Sequence, residues 1–590
     1  SSPTANVTNA GTINVNGRAS AVPRENDGIL VQNGGVTGTV LNSGTINVNG
    51  VNGVALKALS TGSASPTVTS TGTINVAGGA DPSSGTRNFG VWAEGQGSGT
   101  ARANVQGPVN LLGDGAIGIH ARGRATVTVA AGAVPAFTSG TKQIGFFAFG
   151  NDAHINVNGG SNLDVSTAQS TLFRLDSGAD FDGTGLTMSA SGAQSTGILG
   201  SGTGSVLNTR NASITVSGAA AQGVVAEGGS TATIDAATTM SLTGVGAIAG
   251  IADGQKHDLT GGNSGSVVRS TSLNSMASLT SSQSGVTGYI ARNGASLTNA
   301  GAVNFTGAGA TGFIVETNAA ATNNAAVNLS GPSATGAILR TGGTLANNGT
   351  IHVLSGTGVR VEGAGTQRLN PAGSIMVDDG LAGVQLISGA GLALGSGDSA
   401  IVTNGSAHGV LLDTGATSLT ATGTTITTLG TGNAIENAAE IGAITLTGAT
   451  LNVTNGAGLR TATSIDPAST ATVNVAGAGV GYAFRHADGS AASTDLTLGP
   501  GFVINGYGAG ATGIQALTTG AVNNAATVNM LDAAGGSALL AGTASSVTNS
   551  GNLSSVSTAA PVVDLANGSG TTFSNSGAIS AATPAAVAVR

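Results

Sequence analysis

Short runs of alternating apolar and polar residues occur along the whole chain. In the run GTINVNG, which begins at Gly11, Ile13 and Val15 alternate with threonine and asparagine. A period of two residues is typical of a β-strand that buries one face. No segment of the sequence keeps its apolar residues at the 3.6-residue period of an amphipathic helix. The pattern therefore predicts an all-β protein without major helices.

The strand pattern is part of a repeat. Close copies of the first run recur far apart, as VLNSGTINVNG from Val40, TSTGTINV from Thr69 and TNAGAVNF from Thr298. A second phrase alternates with it: a glycine, then apolar residues and often a charge, as in GVWAEG from Gly90 and GIHARG from Gly118. The chain divides into about 22 units of about 27 residues, a period typical of solenoids and too short for βαβ units. We expect stacked coils of two or three strands each, paired in parallel with the next coil.

A recurrent asparagine precedes the small residue at which many strands begin. Asparagine tolerates the left-handed backbone of a corner, and its amide can bond the equivalent amide one coil away. The sequence therefore predicts a structural asparagine ladder. Its members are Asn9, Asn42, Asn299, Asn323, Asn347, Asn524, Asn549 and Asn575.

A charged residue often follows the second phrase. The signs of Arg292, Glu316, Arg340 and Glu362 alternate from one repeat to the next. Neighbours about 4.8 Å apart would form surface pairs of about 0.2–1 kcal/mol each, which favour register more than stability. We expect this column to be a solvated face. Its members are Lys57, Glu94, Arg122, Arg174, Glu227, Arg292, Glu316, Arg340, Glu362, Asp413 and Arg485.

Composition narrows the class of protein. Of 590 residues, 99 are glycine, 8% are charged and 3% are aromatic, and the net charge is −8. This profile differs from that of an ordinary globular enzyme and from that of a highly charged disordered chain. Lysines and arginines are few and scattered, so no nucleic-acid partner is expected. The sequence contains no cysteine, which excludes disulfides and thiolate metal sites and suits a chain that crosses an oxidising compartment unfolded.

The sequence has no apolar run of the roughly 20 residues that a membrane-spanning helix needs. Its first residues, SSPTANVTNA, lack a basic segment followed by an apolar one. We therefore expect a soluble, mature segment from which any secretion signal has been removed.

These features resemble the passenger domains of pertactin-like autotransporters, which Gram-negative bacteria export by type V secretion. The likeness covers the whole chain and lies in the absence of cysteine, the Gly/Asn/Ser/Thr-rich composition, the repeat period and the asparagine corners. It implies a single long right-handed parallel β-helix over residues 1–590. It also implies transport across the outer membrane by the protein's own C-terminal β-barrel, and display or release as a virulence factor. No barrel-type strands precede Arg590, and there is no RGD integrin motif.

The sequence offers little for catalysis. The closest match to the GDSG motif of serine-protease passengers is Gly397-Asp398-Ser399-Ala400, inside an ordinary repeat. The six histidines lie in different repeats without a serine and an acid at triad spacing. The calcium-binding GGxGxD nonapeptide is not repeated, and the paired carboxylates of glycoside chemistry are not apparent. We expect no catalytic residue, cofactor or metal site; a β-helical polysaccharide-active enzyme stays open as an alternative.

Irregular spacing of the repeat predicts three side loops, because insertions in a solenoid become loops on its side. The loops lie near residues 78–89, 252–271 and 485–508. They hold much of the chain's charge, histidine, tyrosine and proline. Four candidate partner-binding residues belong to them: Lys256, His257, Arg485 and His486.

A stripe of large residues follows the glycine of the second phrase by two positions. By strict alternation these side chains would point to solvent, and an exposed apolar stripe marks a partner site. A bulge, a sharp corner or a strand buried on both faces would cover them instead. Trp92, His120 and Phe147 are the candidates in the stripe, and Arg360 completes the candidate set. The stripe consists of Leu30, Trp92, His120, Phe147, Leu199, Val225, Ile290, Ile314 and Ile338.

We therefore expect a non-catalytic, exported, monomeric β-helix that binds a host protein at the bacterial surface or after release. Two roles stay open. The first is adhesion to host cells or matrix. The second is capture of a soluble complement or contact-system regulator, which would serve immune evasion and serum resistance.

Overall fold

In a computed structural model of the chain, the regular elements are β-strands. The structure describes residues 7–19, 25–32, 40–158, 162–257, 267–370, 372–395, 400–558, 560–566, 570–581 and 588–590. Within these ranges there is no α-helix, which confirms the all-β prediction. The described part of the chain accordingly holds no helix of the length and apolar character that crossing a membrane requires.

The strands stack as the coils of a β-solenoid of about 20 turns. A full coil contributes one strand to each of three faces, and most strands pair in parallel with the strand of the same face in the next coil. Ile46 thus pairs with Ile74 on one face, and Trp92 with His120 on another. This pairing confirms the predicted parallel β-helix; its right-handed sense stays a prediction. The coils divide into two compact units, residues 1–304 and residues 305–590.

In the first unit, the strands of each face follow one another at intervals of one coil. The first-face strands are Val7–Asn9, Val40–Asn42, Thr67–Ser70, Ala101–Val105, Ala125–Val129, Ala153–Val157, Asp180–Asp182, Val206–Thr209, Thr231–Ile234, Ser272–Ser275 and Ser296–Asn299. The second-face strands are Thr12–Val15, Thr45–Val48, Thr73–Val76, Val109–Leu111, Pro135–Phe137, Asn162–Val165, Thr187–Ala190, Ser213–Val216, Thr239–Leu242 and Ser278–Ser281. The third-face strands are Asn26–Gln32, Gly53–Ser60, Phe89–Gly95, Ile117–Gly123, Ile144–Phe149, Thr171–Asp176, Thr196–Ser201, Gln222–Glu227, Ile248–Asp253 and Thr287–Arg292. The second-face strand Val303–Phe305 contains the division point.

The second unit repeats the arrangement. Its first-face strands are Ala320–Asn323, Thr344–Asn347, Gly365–Asn370, Ala390–Leu394, Ser418–Thr422, Ile444–Thr447, Leu496–Leu498, Ala521–Asn524, Ser546–Asn549 and Thr572–Asn575. Its second-face strands are Val327–Leu329, Thr350–Val353, Ser374–Val377, Ala400–Thr403, Thr425–Thr428, Ala449–Val453, Ala471–Val475, Phe502–Gly506, Thr527–Met530, Asn552–Ser555 and Ala578–Ala581. Its third-face strands are Thr311–Val315, Ala334–Arg340, Gly356–Glu362, Ala382–Ile387, His408–Leu412, Ile435–Asn437, Ala457–Thr461, Val480–Phe484, Thr512–Ala516, Leu539–Leu540 and Val563–Asp564.

The interior is a stack of aliphatic side chains, because the alternating apolar residues of each strand face inward. On the second face Ile46, Val48, Ile74 and Val76 are completely buried. On the third face the pairing skips the glycine of the second phrase, so that Phe89 pairs with Ile117 and Val91 with Ile119. The register is the same on both sides of this glycine, so no residue is inserted there, and a Cβ on Gly90 would meet the side chains of Val109 and Val76.

A left-handed residue forms the corner before many third-face strands. In the first unit Lys142, Gln169 and Gln194 each have φ of 56°, and Ala220 has φ of 53°. Each of these residues donates its backbone N–H to the coil that follows, as Lys142 does to the carbonyl of Ala168 at 3.1 Å. The side chains of this corner column are exposed, so the corner presents them to solvent once per coil.

The predicted asparagine ladder is present. Asn323 Nδ2 donates to Asn347 Oδ1 at 2.8 Å, and Asn549 Nδ2 donates to Asn575 Oδ1 at 2.7 Å. The Nδ2 to Oδ1 hydrogen bonds from Asn9 to Asn42 and from Asn524 to Asn549 are each 2.8 Å long. Asn42 Nδ2 donates instead to Ser70 Oγ, at 3.1 Å. Asn299 Nδ2 donates to the carbonyl of Gly301, at 2.9 Å.

The prediction that the ladder asparagines adopt the left-handed backbone of a corner is wrong. None of its eight asparagines has a positive φ. Each is the last residue of an extended strand, and most of the side chains are buried. The amide groups bond both the next coil and the carbonyl two residues later, as Asn347 Nδ2 does with Gly349 at 3.1 Å. The ladder therefore closes the chain's turn from the first face to the second.

Two of the predicted side loops coincide with stretches between strands. Residues 77–88 lie between the strands that end at Val76 and begin at Phe89, and a second loop begins after Asp253, with residues 254–257 and 267–271 described before the strand that begins at Ser272. Residues 258–266 of that loop lie outside the described residues. The third predicted loop is too long, because residues 485–508 include the paired strands Leu496–Leu498 and Phe502–Gly506.

A candidate binding groove on the third face of the first unit

The predicted stripe faces outward but is not an exposed apolar surface. Trp92 is 6% exposed, His120 4% and Phe147 7%. Elsewhere in the stripe Val225 and Ile338 are also buried, while Leu199, Ile290 and Ile314 are half-buried and Leu30 is exposed. Of the two alternatives for the stripe, exposure and cover, the structure shows cover for Trp92, His120 and Phe147; their role in partner binding stays a prediction.

The reason is that these side chains stack on one another along the solenoid. The Phe89 and Trp92 rings lie 4.5 Å apart, Trp92 and His120 5.1 Å, and His120 and Phe147 4.6 Å. Lys57 Nζ caps the stack 3.9 Å from the Trp92 ring centre. We call Phe89, Trp92, His120 and Phe147 the aromatic stack. It is a packed outer layer of the third face, and such contacts stabilise the fold.

His120 is the polar member of the aromatic stack. Its Nδ1 lies 3.0 Å from the carbonyl oxygen of Phe147. Burial lowers the pKa of His120 to about 3. The imidazole is therefore neutral at physiological pH, with Nδ1–H as the donor to that carbonyl.

The charge column is also more buried than the sequence indicates. Glu94 is buried between Lys57, at 3.5 Å, and Arg122, at 3.4 Å. In the second unit Arg460 Nε donates to Glu436 Oε2 at 2.6 Å, and both side chains are buried. The expectation of a solvated face is wrong for Lys57 and Glu94, because adjacent coils bring opposite charges together and cover them; Arg460 and Glu436, which lie outside the predicted column, are covered in the same way. Pairs of this kind favour one register of the coils.

The loop after Asp253 is held against the outer side of the third face by three contacts. Lys256 Nζ lies 2.5 Å from Asp176 Oδ1, three coils before the loop. His257 Nδ1 lies 2.8 Å from Glu227 Oε2, and the carbonyl of His257 accepts a hydrogen bond from Arg174 Nη2 at 3.1 Å. The hydrogen bond to Glu227 raises the pKa of His257. The predicted partner-binding residues Lys256 and His257 thus form ion pairs within the chain.

The remaining candidates lie in the second unit. His486 pairs with Glu440, and Arg360 Nε lies 3.0 Å from Glu362 Oε2. Arg485 is half-buried beside Arg460. Burial, together with the charge of Arg485, lowers the pKa of Arg460 to about 10. Arg360 and Arg485 lie on different coils, so the structure does not join these candidates into one site.

The two loops of the first unit flank an open groove of about 600 Å³ on the third face. Arg87, from the loop at residues 77–88, lines the groove and donates from Nη1 to the carbonyl of Lys142 at 2.8 Å. His257, from the loop after Asp253, lines the groove as well. We call this cavity the corner groove. The sequence predicts both loops, and the structure adds that they reach the same surface.

The corner groove runs along the coils from the strand Ile144–Phe149 to the strand Ile248–Asp253. The exposed corner column forms one side, and the first outward residue of each strand lies beside it. Arg174 and Leu199 lie on the other side. The groove is lined by Arg87, Lys142, Gln143, Ile144, Gln169, Thr171, Arg174, Gln194, Leu199, Ala220, Gln222, Ile248 and His257.

Sequence reasoning missed the glutamines of the groove. Gln169 Nε2 donates to Gln194 Oε1 at 3.0 Å across one coil. The signal in the sequence is the dipeptide Ala-Gln, which places Gln169 and Gln194 at the same corner of successive coils; in the next coil that corner is Ala220, and Gln222 begins the strand. A second missed ladder lies on the outer side of the second face, where Asn47 donates to Asn14 at 3.0 Å and Asn75 to Asn47 at 2.8 Å.

Among the described residues, no group of three or more histidines, aspartates or glutamates is placed to hold a metal ion. Ser399, from the motif closest to a protease nucleophile, lies outside the described residues.

Comparison with known proteins adds no family to this geometry. The sequence matches no protein-family model, and no curated protein or solved structure gives a significant match.

Proposed function

We propose that this protein is an exported bacterial surface protein, a non-catalytic β-solenoid passenger that binds host cells or matrix. The observation that carries the proposal is the corner groove. It is the place where both described loops of the first unit meet the third face, and departures from a regular solenoid are where binding residues concentrate.

The scaffold supports this role. Most strands pair with strands of the neighbouring coils, so the stack can form progressively from one end as the chain emerges from a membrane. The sequence contains no cysteine that could form a disulfide before that step. Both properties suit export of an unfolded chain followed by folding outside the cell.

The groove also favours an extended ligand over a compact one. It spans five third-face strands, each with one corner, so equivalent side chains repeat along it at about 4.8 Å. An extended chain of the host surface or matrix could contact several coils at once. Capture of a soluble complement or contact-system regulator is the second binding role, and the test below distinguishes it.

Attachment of the purified protein to host cells tests the proposal, with a pull-down from host plasma in parallel. We expect saturable attachment that falls by about ten-fold in affinity when Lys142, which is exposed at the groove, is changed in Lys142→Glu. The matched control is Arg102→Glu, an exposed position of the strand Ala101–Val105 on the first face.

Unchanged attachment by Lys142→Glu would remove the groove from the proposal. Specific capture of a plasma protein without cell attachment would favour the immune-evasion role. Depolymerisation of a polysaccharide by the purified protein would contradict the non-catalytic assignment.

A further inference from the structure

We propose that the corner groove binds a linear acidic polysaccharide, with its anionic groups directed to Arg87, Lys142 and Arg174. This inference rests on the proposed binding function and adds the site and the chemical class of the ligand.

Charge is the first argument. Arg87, Lys142 and Arg174 line the groove, together with His257, which is paired with Glu227, and the described residues of its lining include no aspartate or glutamate. The chain as a whole carries a net charge of −8. Near the loop, Asp176 and Glu227 are engaged by Lys256 and His257, and Asp253 is engaged by Arg292 at 2.6 Å. The loop contacts therefore neutralise carboxylates beside the groove, and a concave surface of one sign concentrates ligands of the opposite sign.

The two arginines of the groove are buried and held in place. Arg87 and Arg174 line the groove although each is more than nine-tenths buried. Their backbone-directed hydrogen bonds, to the carbonyls of Lys142 and His257, fix where each guanidinium lies. A guanidinium presents a planar fork that suits carboxylate or sulfate groups, and a preorganised one loses less entropy on binding.

The spacing of polar groups is the third argument, and it favours a glycan over an acidic peptide. Corner side chains repeat once per coil, at about 4.8 Å, whereas the side chains on one face of an extended peptide repeat at about 6.6–6.8 Å. The sugar rings of a linear polysaccharide repeat at an interval close to that of the coils. Gln169 and Gln194 offer amides at successive corners, and Gln222 offers one from the first strand position of the next coil; an amide can donate to and accept from ring hydroxyls.

The test measures binding of the full chain to three fluorescent probes of matched length: a sulfated heparin oligosaccharide, an uncharged dextran oligosaccharide and an oligoglutamate peptide. We expect the heparin probe to bind and to weaken steeply with added salt, because exposed charges are screened. We expect little binding of the dextran and oligoglutamate probes.

The variants are Lys142→Glu and Gln194→Glu, both exposed and both at corners that already hold a long side chain with positive φ. Their combination should weaken heparin binding by about ten-fold or more, while Arg102→Glu, which changes the net charge as Lys142→Glu does, should change it by less than about two-fold. Unchanged far-UV circular dichroism and Trp92 fluorescence would show that the variants fold.

Equal binding of all the variants, or equal binding of heparin and dextran, would overturn the inference. Tighter binding of oligoglutamate would assign the groove to an acidic peptide instead. Cell attachment that persists without heparin binding would overturn the inference and leave the adhesive function standing. Heparin binding without cell attachment would support the polysaccharide site and contradict the adhesive function.

Discussion

At the scale of single residues, neighbouring asparagines have different roles in the same turn. Asn347 is completely buried and bonds Asn323, Gly349 and Ser374, while Asn348 is exposed and bonds Asn324. The sequence predicts that asparagine recurs at this turn. It does not show which asparagine faces inward, because that depends on how the strand before it ends.

Replacement of the inner asparagine should be the costlier change. Asn347→Ala removes the acceptor of Asn323 and leaves buried polar groups without partners, so we expect the free energy of unfolding to fall by about 1–3 kcal/mol. The matched control Asn348→Ala should change it by less than about 0.5 kcal/mol. Urea unfolding of the full chain, followed by circular dichroism, measures both. Equal losses of unfolding free energy in the two variants would show that the buried asparagine contributes no more to stability than the exposed one.

His120 should make the first unit sensitive to acid. Its pKa is about 3 in the folded state and about 6.5 in the unfolded state, so the unfolded state binds more protons between these values. The stabilisation is fully present above about pH 6.5 and is lost as the pH falls toward 3. His120→Phe should therefore lose less stability than the wild type between pH 7 and pH 4.5, measured by urea midpoints from Trp92 fluorescence.

The control for this prediction is His154→Phe, which removes an exposed histidine of the strand Ala153–Val157. It should keep the pH dependence of the wild type. A His120→Phe variant with that same dependence would show that other groups cause the acid sensitivity.

At the scale of elements, alternation predicts the strands well and their outer packing poorly. The predicted outward direction of Trp92 agrees with its place in the aromatic stack, two residues before Glu94 on the same strand. Its burial depends on Phe89, His120 and Lys57, which come from other positions of the repeat and from other coils. The same limit applies to the groove, whose lining joins Arg87 and His257 from loops far apart in sequence. Sequence periodicity locates such insertions, but the fold determines what they touch.

Glycine at the turn between the first and second faces should be required by the stacking of coils. A Cβ on Gly72 would overlap the carbonyl oxygen of Gly44 in the preceding coil, whereas a Cβ on Gly62 would meet no atom within 4 Å. Gly72→Ala should therefore destabilise the first unit by about 1–3 kcal/mol through overpacking. The matched control Gly62→Ala should be nearly neutral in the same Trp92 unfolding assay. A neutral Gly72→Ala would mean that the coils can move apart there without cost.

At the scale of the whole molecule, a regular scaffold carries a few irregular features. Most coils differ only in which small aliphatic or polar residue occupies a position, and such repeats stabilise each other mainly through nearest neighbours. The predicted solenoid is confirmed because its signal is repeated about 20 times. The corner groove is formed once, where two insertions reach the same face, so the regular repeat alone does not reveal it.

Nearest-neighbour stabilisation leads to a prediction about cooperativity. Trp92 is the single tryptophan of the chain and lies in the first unit, so its fluorescence reports on that unit. Far-UV circular dichroism reports on every coil. Long repeat arrays depart from two-state unfolding, so we expect the fluorescence transition in urea to be narrower than the circular dichroism transition and displaced from it.

Two of the variants above test this assignment, because each acts in one unit. Asn347→Ala should shift the circular dichroism transition and leave the Trp92 transition in place, since Asn347 belongs to the second unit. Gly72→Ala should shift the Trp92 transition. Transitions that coincide in the wild type, and that move together in both variants, would show that the solenoid unfolds as one cooperative body and that nearest-neighbour stabilisation extends unbroken through the chain.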